Sequence, residues 1–192
     1  FKIILPLSRS AVIVVALFAL AACGRKEPTA NVPTAPADTG APEAPAGPPP
    51  PQHHVNLAAT QGNEASGELL LTTMPDGVRV EGSISGLKAD AEHGFHVHEN
   101  GDCSAPDASS AGEHFNPTAQ PHGDPNGAAH HAGDMQNVRA DAEGRAPVSI
   151  TVNGVTLGDG GTNDIVGKAV VVHEKPDDYK TQPSGDSGGR IA

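Results

Sequence analysis

The chain has 192 residues, enough for one domain with extensions or at most two small domains. Aromatic residues make up 3% and tryptophan is absent, so any core must rest on Val, Ile, Leu and Ala. A formal net charge of −11 argues against nucleic acid as a partner, because its phosphates would be repelled.

The first residues read as an export signal. Lys2 and Arg9 are basic, and residues 11–20 form an unbroken apolar run too short to span a bilayer as a helix. Leu20, Ala21, Ala22 and Cys23 follow, a tetrad that resembles a bacterial lipobox. Cys23 would then be the lipidated first residue of the mature protein. Gly24 after it resembles lipoproteins sent to the outer membrane. An ordinary cleaved signal with an incidental cysteine is the alternative. The expected location is the periplasm of a Gram-negative bacterium, with the protein lipid-anchored to the outer membrane. The chain starts at Phe1 rather than Met, so residues are expected to precede it.

Residues 24–54 change to Pro, Ala, Thr, Gly and Glu and include Pro48 to Pro51. Such a segment buries too little to offset its ordering entropy and is expected to form an extended tether. A leader with no role predicts the same lack of fixed structure.

From residue 55 the chain reads as short strands, over 55–60, 67–73, 78–84, 94–99, 136–142, 146–152 and 169–173. Turns are expected at 74–77 and, as a hairpin, at 142–145. Helical periodicity is absent. The fold class is therefore all-β, an antiparallel sandwich or barrel. Two long polar loops remain, 100–135 and 174–190, and loops of that length in a compact domain are usually functional or disordered.

Six histidines and one aspartate stand out: His96, His98, His114, His122, His131, Asp134 and His173. His96 and His98 flank Val97, so strand alternation puts the two imidazoles on one face. Two such rings form half of a nitrogen-rich site suited to Cu(II), Zn or Ni. His114, His122, His131 and Asp134 offer three nitrogens and a carboxylate, the closed tetrahedral shell usual for structural zinc.

These segments resemble the copper/zinc superoxide dismutase family. The resemblance is carried by Gly94-Phe95-His96-Val97-His98-Glu99-Asn100-Gly101-Asp102, by Ser110-Ala111-Gly112-Glu113-His114-Phe115-Asn116-Pro117, by His122, His131 and Asp134, by Val172-His173-Glu174-Lys175, and by Gly188-Gly189-Arg190-Ile191-Ala192. It covers residues 55–192 and implies a Greek-key β-barrel with a metal-binding loop and an electrostatic loop. It implies that His96, His98, His114 and His173 hold copper, and that His114 bridges to a zinc completed by His122, His131 and Asp134. Asp177 matches a carboxylate that links a copper histidine to a zinc histidine. The reaction implied is the conversion of two superoxide anions and two protons to oxygen and hydrogen peroxide, by alternate reduction and oxidation of copper. His114 would take and return a proton.

An acidic protein with an anionic substrate needs a local positive target. Arg190 would supply it, since steering follows the local field rather than the net charge; this enzyme class is itself a standard example of such steering. Lys180 is a second candidate, equally well read as a solvated loop lysine.

By the same resemblance Cys103 pairs with a cysteine just past Arg190. The chain stops at Ala192, where that partner is expected next, so further residues and a closing strand are expected. A native free thiol is the alternative. His93 is expected at the mouth of the ligand strand, and His130 beside the true ligand His131. His53 and His54 are expected to be a surface pair before the first strand, with a weak copper-capture site as the alternative, since two histidines alone seldom complete a metal shell. A homodimer is among the assemblies the family allows, but one chain does not reveal the dimer surface. Two rival functions are a copper-storage module, which needs neither Arg190 nor the zinc loop, and a zinc hydrolase, which needs an open zinc position.

Overall fold

The computed structural model describes residues 50–192. The export signal, Cys23 with its expected lipidation, and all of the tether before Pro50 lie outside the described residues.

Alternation builds the first layer. In β2 (Ser66–Met74) Leu69 and Leu71 are buried, while Glu68 between them and Gly67 is exposed. In β3 (Gly77–Ser85) Val78, Val80 and Ile84 are buried and Glu81 and Ser83 are exposed. β1 (Gln52–Leu57) pairs with β2, β2 with β3, and β3 with β7 (Ala146–Asn153), all antiparallel, giving the order β1-β2-β3-β7.

The second layer is made of short pairs. β5 (Phe95–His98) runs antiparallel to β8 (Ala169–Val172), with Phe95 opposite Val172 and His98 opposite Ala169. β4 (Glu92–His93) pairs with β6 (Val138–Arg139). Strands distant in sequence thus become neighbours, as in a Greek-key sandwich. Phe95, Val97, Val138 and Val172 share one core with Leu69, Leu71, Val78, Val80 and Ile84 of the first layer. Full burial of such a side chain stabilises by about 1.5–3 kcal/mol.

This packing sets the site. Phe95 and Val97 point into the core, so His96 and His98 point the other way. The loop 100–135 is fastened along β5 by main-chain bonds: Phe115 N–H to the Val97 carbonyl at 2.8 Å, Val97 N–H to Gly133 at 2.9 Å, and Gly133 N–H to Phe115 at 2.8 Å. Isolated bridges then set His98 against His114 and His96 against Asp134. On the other side His173, just past β8, bridges to Arg190, and Gly94 N–H donates to the Lys175 carbonyl at 2.7 Å.

Several expectations are corrected. The first strand spans Gln52–Leu57 rather than 55–60, so Gln52, His53 and His54 are paired strand residues and not tether. It is an edge strand, where exposed polar side chains are the normal composition. The strand expected over 136–142 shrinks to Val138–Arg139, because only two residues meet β4. The turn near residue 143 is real, with Gly144 N–H donating to the Asp141 carbonyl at 3.0 Å and Asp141 N–H to Arg145 at 2.8 Å. It does not close a hairpin, since β6 pairs with β4 and β7 with β3. The loop 100–135 also contains one 3-10 turn, Ser109–Ala111.

Candidate metal centre

His96, His98, His114 and His173 converge on one point. Each is at most 4% exposed, and one ring nitrogen of each lies within 4.8 Å of the others. Their outer nitrogens fix the tautomers. His98 Nδ1 is 2.9 Å from the Gly112 carbonyl oxygen and His173 Nδ1 is 3.2 Å from that of Gly188. A carbonyl only accepts, so both Nδ1 atoms carry the proton and both Nε2 atoms carry lone pairs. Those two Nε2 atoms face each other at 3.4 Å. His96 Nε2 donates to Asp177 Oδ2 at 2.8 Å, which leaves its Nδ1 buried without a partner; His114 Nε2 is buried and unpartnered too. Four lone pairs therefore converge in a buried cluster with no protein donor between them. Lone pairs so placed repel unless a cation joins them.

Protonation does not relieve this. Burial lowers the pKa of His96 to about 4, of His98 to about 2 and of His173 to about 3. Neutral imidazole is the form that binds a metal.

A second cluster joins the first at His114. Its Nδ1 is 2.9 Å from Asp134 Oδ1, which is 3.5 Å from His131 Nδ1. Asp134 Oδ2 lies 3.0 Å from His122 Nδ1, close enough for an ion pair but not aligned as a hydrogen bond. Oδ2 also accepts from the His131 N–H at 2.8 Å and the Gly123 N–H at 3.1 Å, which fixes the carboxylate. Burial alone would raise the Asp134 pKa, but the hydrogen bond from His114, the nearby His122 imidazole and the Gly123 N–H hold it well below the usual range. Burial likewise opposes protonation of His122, yet Asp134 and Asp177 outweigh it and raise its pKa to about 9. With three imidazole nitrogens and one carboxylate, the cluster fits zinc without an open position.

Asp177 ties the two clusters together. One oxygen accepts from His96 and the other from His122 Nε2 at 3.0 Å. The side-chain amide of Asn137 grips the Asp177 backbone, accepting its N–H at 2.9 Å and donating to its carbonyl at 3.0 Å. Gly185 packs against this pair with φ +70, and a Cβ there would overlap Asp177 Oδ1.

Arg190 is half-buried beside the first cluster. Its Nη1 donates to the Ala108 carbonyl and its Nη2 to the Gly112 carbonyl, both at 2.6 Å. Its charge helps to depress both His98 and His173, so it lies within electrostatic reach of their ring nitrogens.

The sequence profile of the copper/zinc superoxide dismutases matches residues 65–192. This chain belongs to the copper/zinc superoxide dismutase family. It is 41% identical over 142 residues to superoxide dismutase [Cu-Zn] 2 of Aquifex aeolicus, covering 72% of this chain and 82% of that one. A SOD-like protein from Bacillus subtilis of known structure is 38% identical, with a TM-score of 0.66 over 72% of this chain and 94% of that one. The clock protein EA4 is 36% identical, with a TM-score of 0.65 over 78% of this chain and 95% of that one.

For a member of the copper/zinc superoxide dismutase family, the arrangement brings together all seven residues singled out as ligands, with Asp177 and Arg190 beside them. It does not bring in Lys180, which is exposed. His130 is turned away, its Nδ1 donating to the His131 carbonyl at 2.7 Å. His53 and His54 are exposed on β1. Cys103 is exposed and unpaired among the described residues. His93 is not at a mouth. It is 1% exposed, and its Nδ1 donates to the His173 carbonyl at 2.8 Å. Positions 93, 95 and 97 share a side by alternation, so its ring follows Phe95 and Val97 inward. The sequence reading missed the carbonyls of Ala108 and Gly112 and the amides of Asn137 and of Gln182, the latter hydrogen-bonded to the main chain of His122. No spacing rule marks a main-chain oxygen or an isolated amide.

Proposed function

We propose that this chain is a superoxide dismutase that holds copper with His96, His98, His114 and His173, and zinc with His114, His122, His131 and Asp134. The observation that carries the reading is His114, whose two ring nitrogens face the two clusters. Family membership alone would not be enough, since relatives include a Bacillus subtilis protein described only as superoxide dismutase-like. This chain has every ligand position filled, together with Arg190.

When bound, copper supplies a one-electron couple and zinc, which has no redox chemistry, supplies a fixed positive charge beside His114. The residues do the rest. Arg190 attracts and orients the anion, its guanidinium held by two carbonyls. The Gly112 and Gly188 carbonyls keep His98 and His173 in the tautomer that presents Nε2. With its Nδ1 turned to the Asp134 cluster, His114 would have one place for a proton, Nε2, where it could hold one and release it in each cycle. The sum consumes two superoxide anions and two protons and yields oxygen and hydrogen peroxide.

A storage module would not need the guanidinium or the second cluster. A hydrolase would need a free zinc position, and four protein groups already surround that one. The test is metal analysis of the purified protein with a superoxide-decay assay, beside His114→Ala. One copper and one zinc per chain with rapid decay is expected. Zinc alone under copper-replete conditions overturns the reading.

The same proposal places the protein in the periplasm, anchored to the outer membrane through Cys23 and held away from the lipid by the residues that follow. The lipobox-like tetrad and the Pro/Ala-rich composition support it. A disulfide from Cys103 to a residue following Ala192 would close at a cavity that Cys103 and Ala192 line together.

A further inference from the structure

His122 sits in an irregular stretch, residues 119–124, with no strand or helix to take up its main-chain groups. It is 4% exposed, so those groups need partners. One side chain supplies them. Gln182, 60 residues away in the loop 174–190, accepts the His122 N–H at Oε1 and donates from Nε2 to the His122 carbonyl, both at 2.9 Å. This is the pair of hydrogen bonds that a neighbouring strand would make, delivered by one amide. Only one orientation of the amide satisfies both contacts, since the oxygen must face the N–H.

The amide is itself held. Nε2 also reaches the Lys180 carbonyl at 3.3 Å. Asp178 closes the turn beneath it, accepting from the N–H groups of Lys180 and Thr181 at 2.8 Å each. Gly185 N–H then donates to the Thr181 carbonyl at 2.7 Å. With Asp177 on Nε2 and Asp134 at Nδ1, His122 is gripped at its backbone and at both ring nitrogens. Two of those grips, Gln182 and Asp177, come from the loop that carries Arg190.

We propose that Gln182 is a positioning residue for zinc: by clasping the main chain of His122 it sets the direction of that ligand and couples zinc occupancy to the order of the loop 174–190. The inference rests on the assignment of His122 to zinc. Gln182 is exposed at the surface, so replacing it leaves no hole in the core. An amide that only stabilised the fold would weaken both metals alike. One that aims His122 weakens zinc selectively.

The experiment uses the full chain and two readouts, zinc affinity by chelator competition and the visible absorption of Co(II) placed in the zinc position. Gln182→Ala is expected to lower zinc affinity about 10–100-fold, the usual effect of removing a residue that orients a ligand, and to alter the cobalt bands, while copper affinity changes less. Gln182→Glu keeps the acceptor for the His122 N–H but loses the donor, so it is expected to lie between parent and alanine variant. It also carries the test if the alanine variant does not fold. Unchanged zinc affinity and cobalt bands in either folded variant, or equal losses of copper and zinc, overturn the proposal. His122→Ala separates the two levels: if it binds zinc as the parent does, the zinc assignment fails rather than the clasp.

Discussion

His98 and Arg190 hydrogen-bond to the same oxygen, the Gly112 carbonyl, at 2.9 and 2.6 Å. The atom that fixes the tautomer of a metal-facing imidazole therefore also fixes a guanidinium. Ala108 supplies the other oxygen from a left-handed conformation, φ 56, at the start of the 3-10 turn. Non-glycine residues in that region are uncommon and cluster at functional sites.

Replacing Arg190 tests the electrostatic role. Arg190→Ala should lower the second-order rate about 10-fold or more, within the span that field steering can supply. Copper content should hold, because His98 still occupies the Gly112 carbonyl. Arg190→Lys keeps the charge but cannot span two carbonyls, so it should fall between. Arg190→Glu should be slowest. The parent rate should drop as salt rises, since screening limits the positive charge to about 8 Å at physiological ionic strength. An Arg190→Glu variant with the parent's rate and salt trend at equal copper loading removes the steering role.

Gly185→Ala should break the bridge between the clusters. The new methyl would overlap Asp177 Oδ1 and lie 2.8 Å from His122 Nε2, at a φ of +70 that alanine resists. We expect a stability loss of at least about 1–3 kcal/mol for the backbone strain alone, with zinc content reduced and the metal-free protein affected less. Thermal unfolding with and without zinc measures both. Equal melting shifts in the two forms would mean that only the backbone was strained.

Metal-free protein should be most stable near pH 6.5. His96, His98 and His173 have pKa values lowered from 6.5 to about 4, 2 and 3, so below 6.5 the unfolded chain binds protons that the folded chain does not. Stability therefore falls as the pH drops below 6.5. His122 is shifted the other way, from 6.5 to about 9, so its contribution is present below 6.5 and is lost as pH rises to about 9. Urea midpoints from pH 4 to pH 10 give the curve. A midpoint that climbs steadily through pH 9 contradicts the His122 half, and one that is flat from pH 6.5 to pH 4 contradicts the other.

If the proposed anchor is right, Cys23→Ser should abolish lipidation and release a soluble form with unchanged copper, zinc and dismutation rate, because Cys23 is not one of the residues of the metal centre. Membrane fractionation with a lipid label decides it. A parent that is already soluble and unlipidated removes the anchor.

The ligand set was legible because each part obeys a short-range rule. His96 and His98 follow strand period two, and His131 and Asp134 lie three apart on one loop. β2, β3 and β7 announced themselves by alternation. What failed depends on long-range partners. β1 begins at Gln52 because β2 offers an edge there, and nothing in Gln52-His53-His54 says so. The 142–145 turn was visible locally, but the sheets its flanking strands join are decided elsewhere. His93 followed the same alternation as Phe95 and could have been placed inside. Gln182 could not, because a surface glutamine carries no sign of the backbone it will grip.

The two donor sets differ in how much chain must exist before they close. His114 and Asp134 are 20 residues apart, whereas His98 and His173 are separated by 75. Joining the more distant pair costs about 1 kcal/mol more in chain entropy, and it waits on the pairing of β5 with β8. As the polypeptide emerges from a ribosome or an export channel, the donors for zinc are all present once Asp134 has appeared. Those for copper are complete only when His173 follows, and the amide that clasps His122 comes later still. The order of ligands along the chain is thus also an order in time, with zinc's donors first and copper's after.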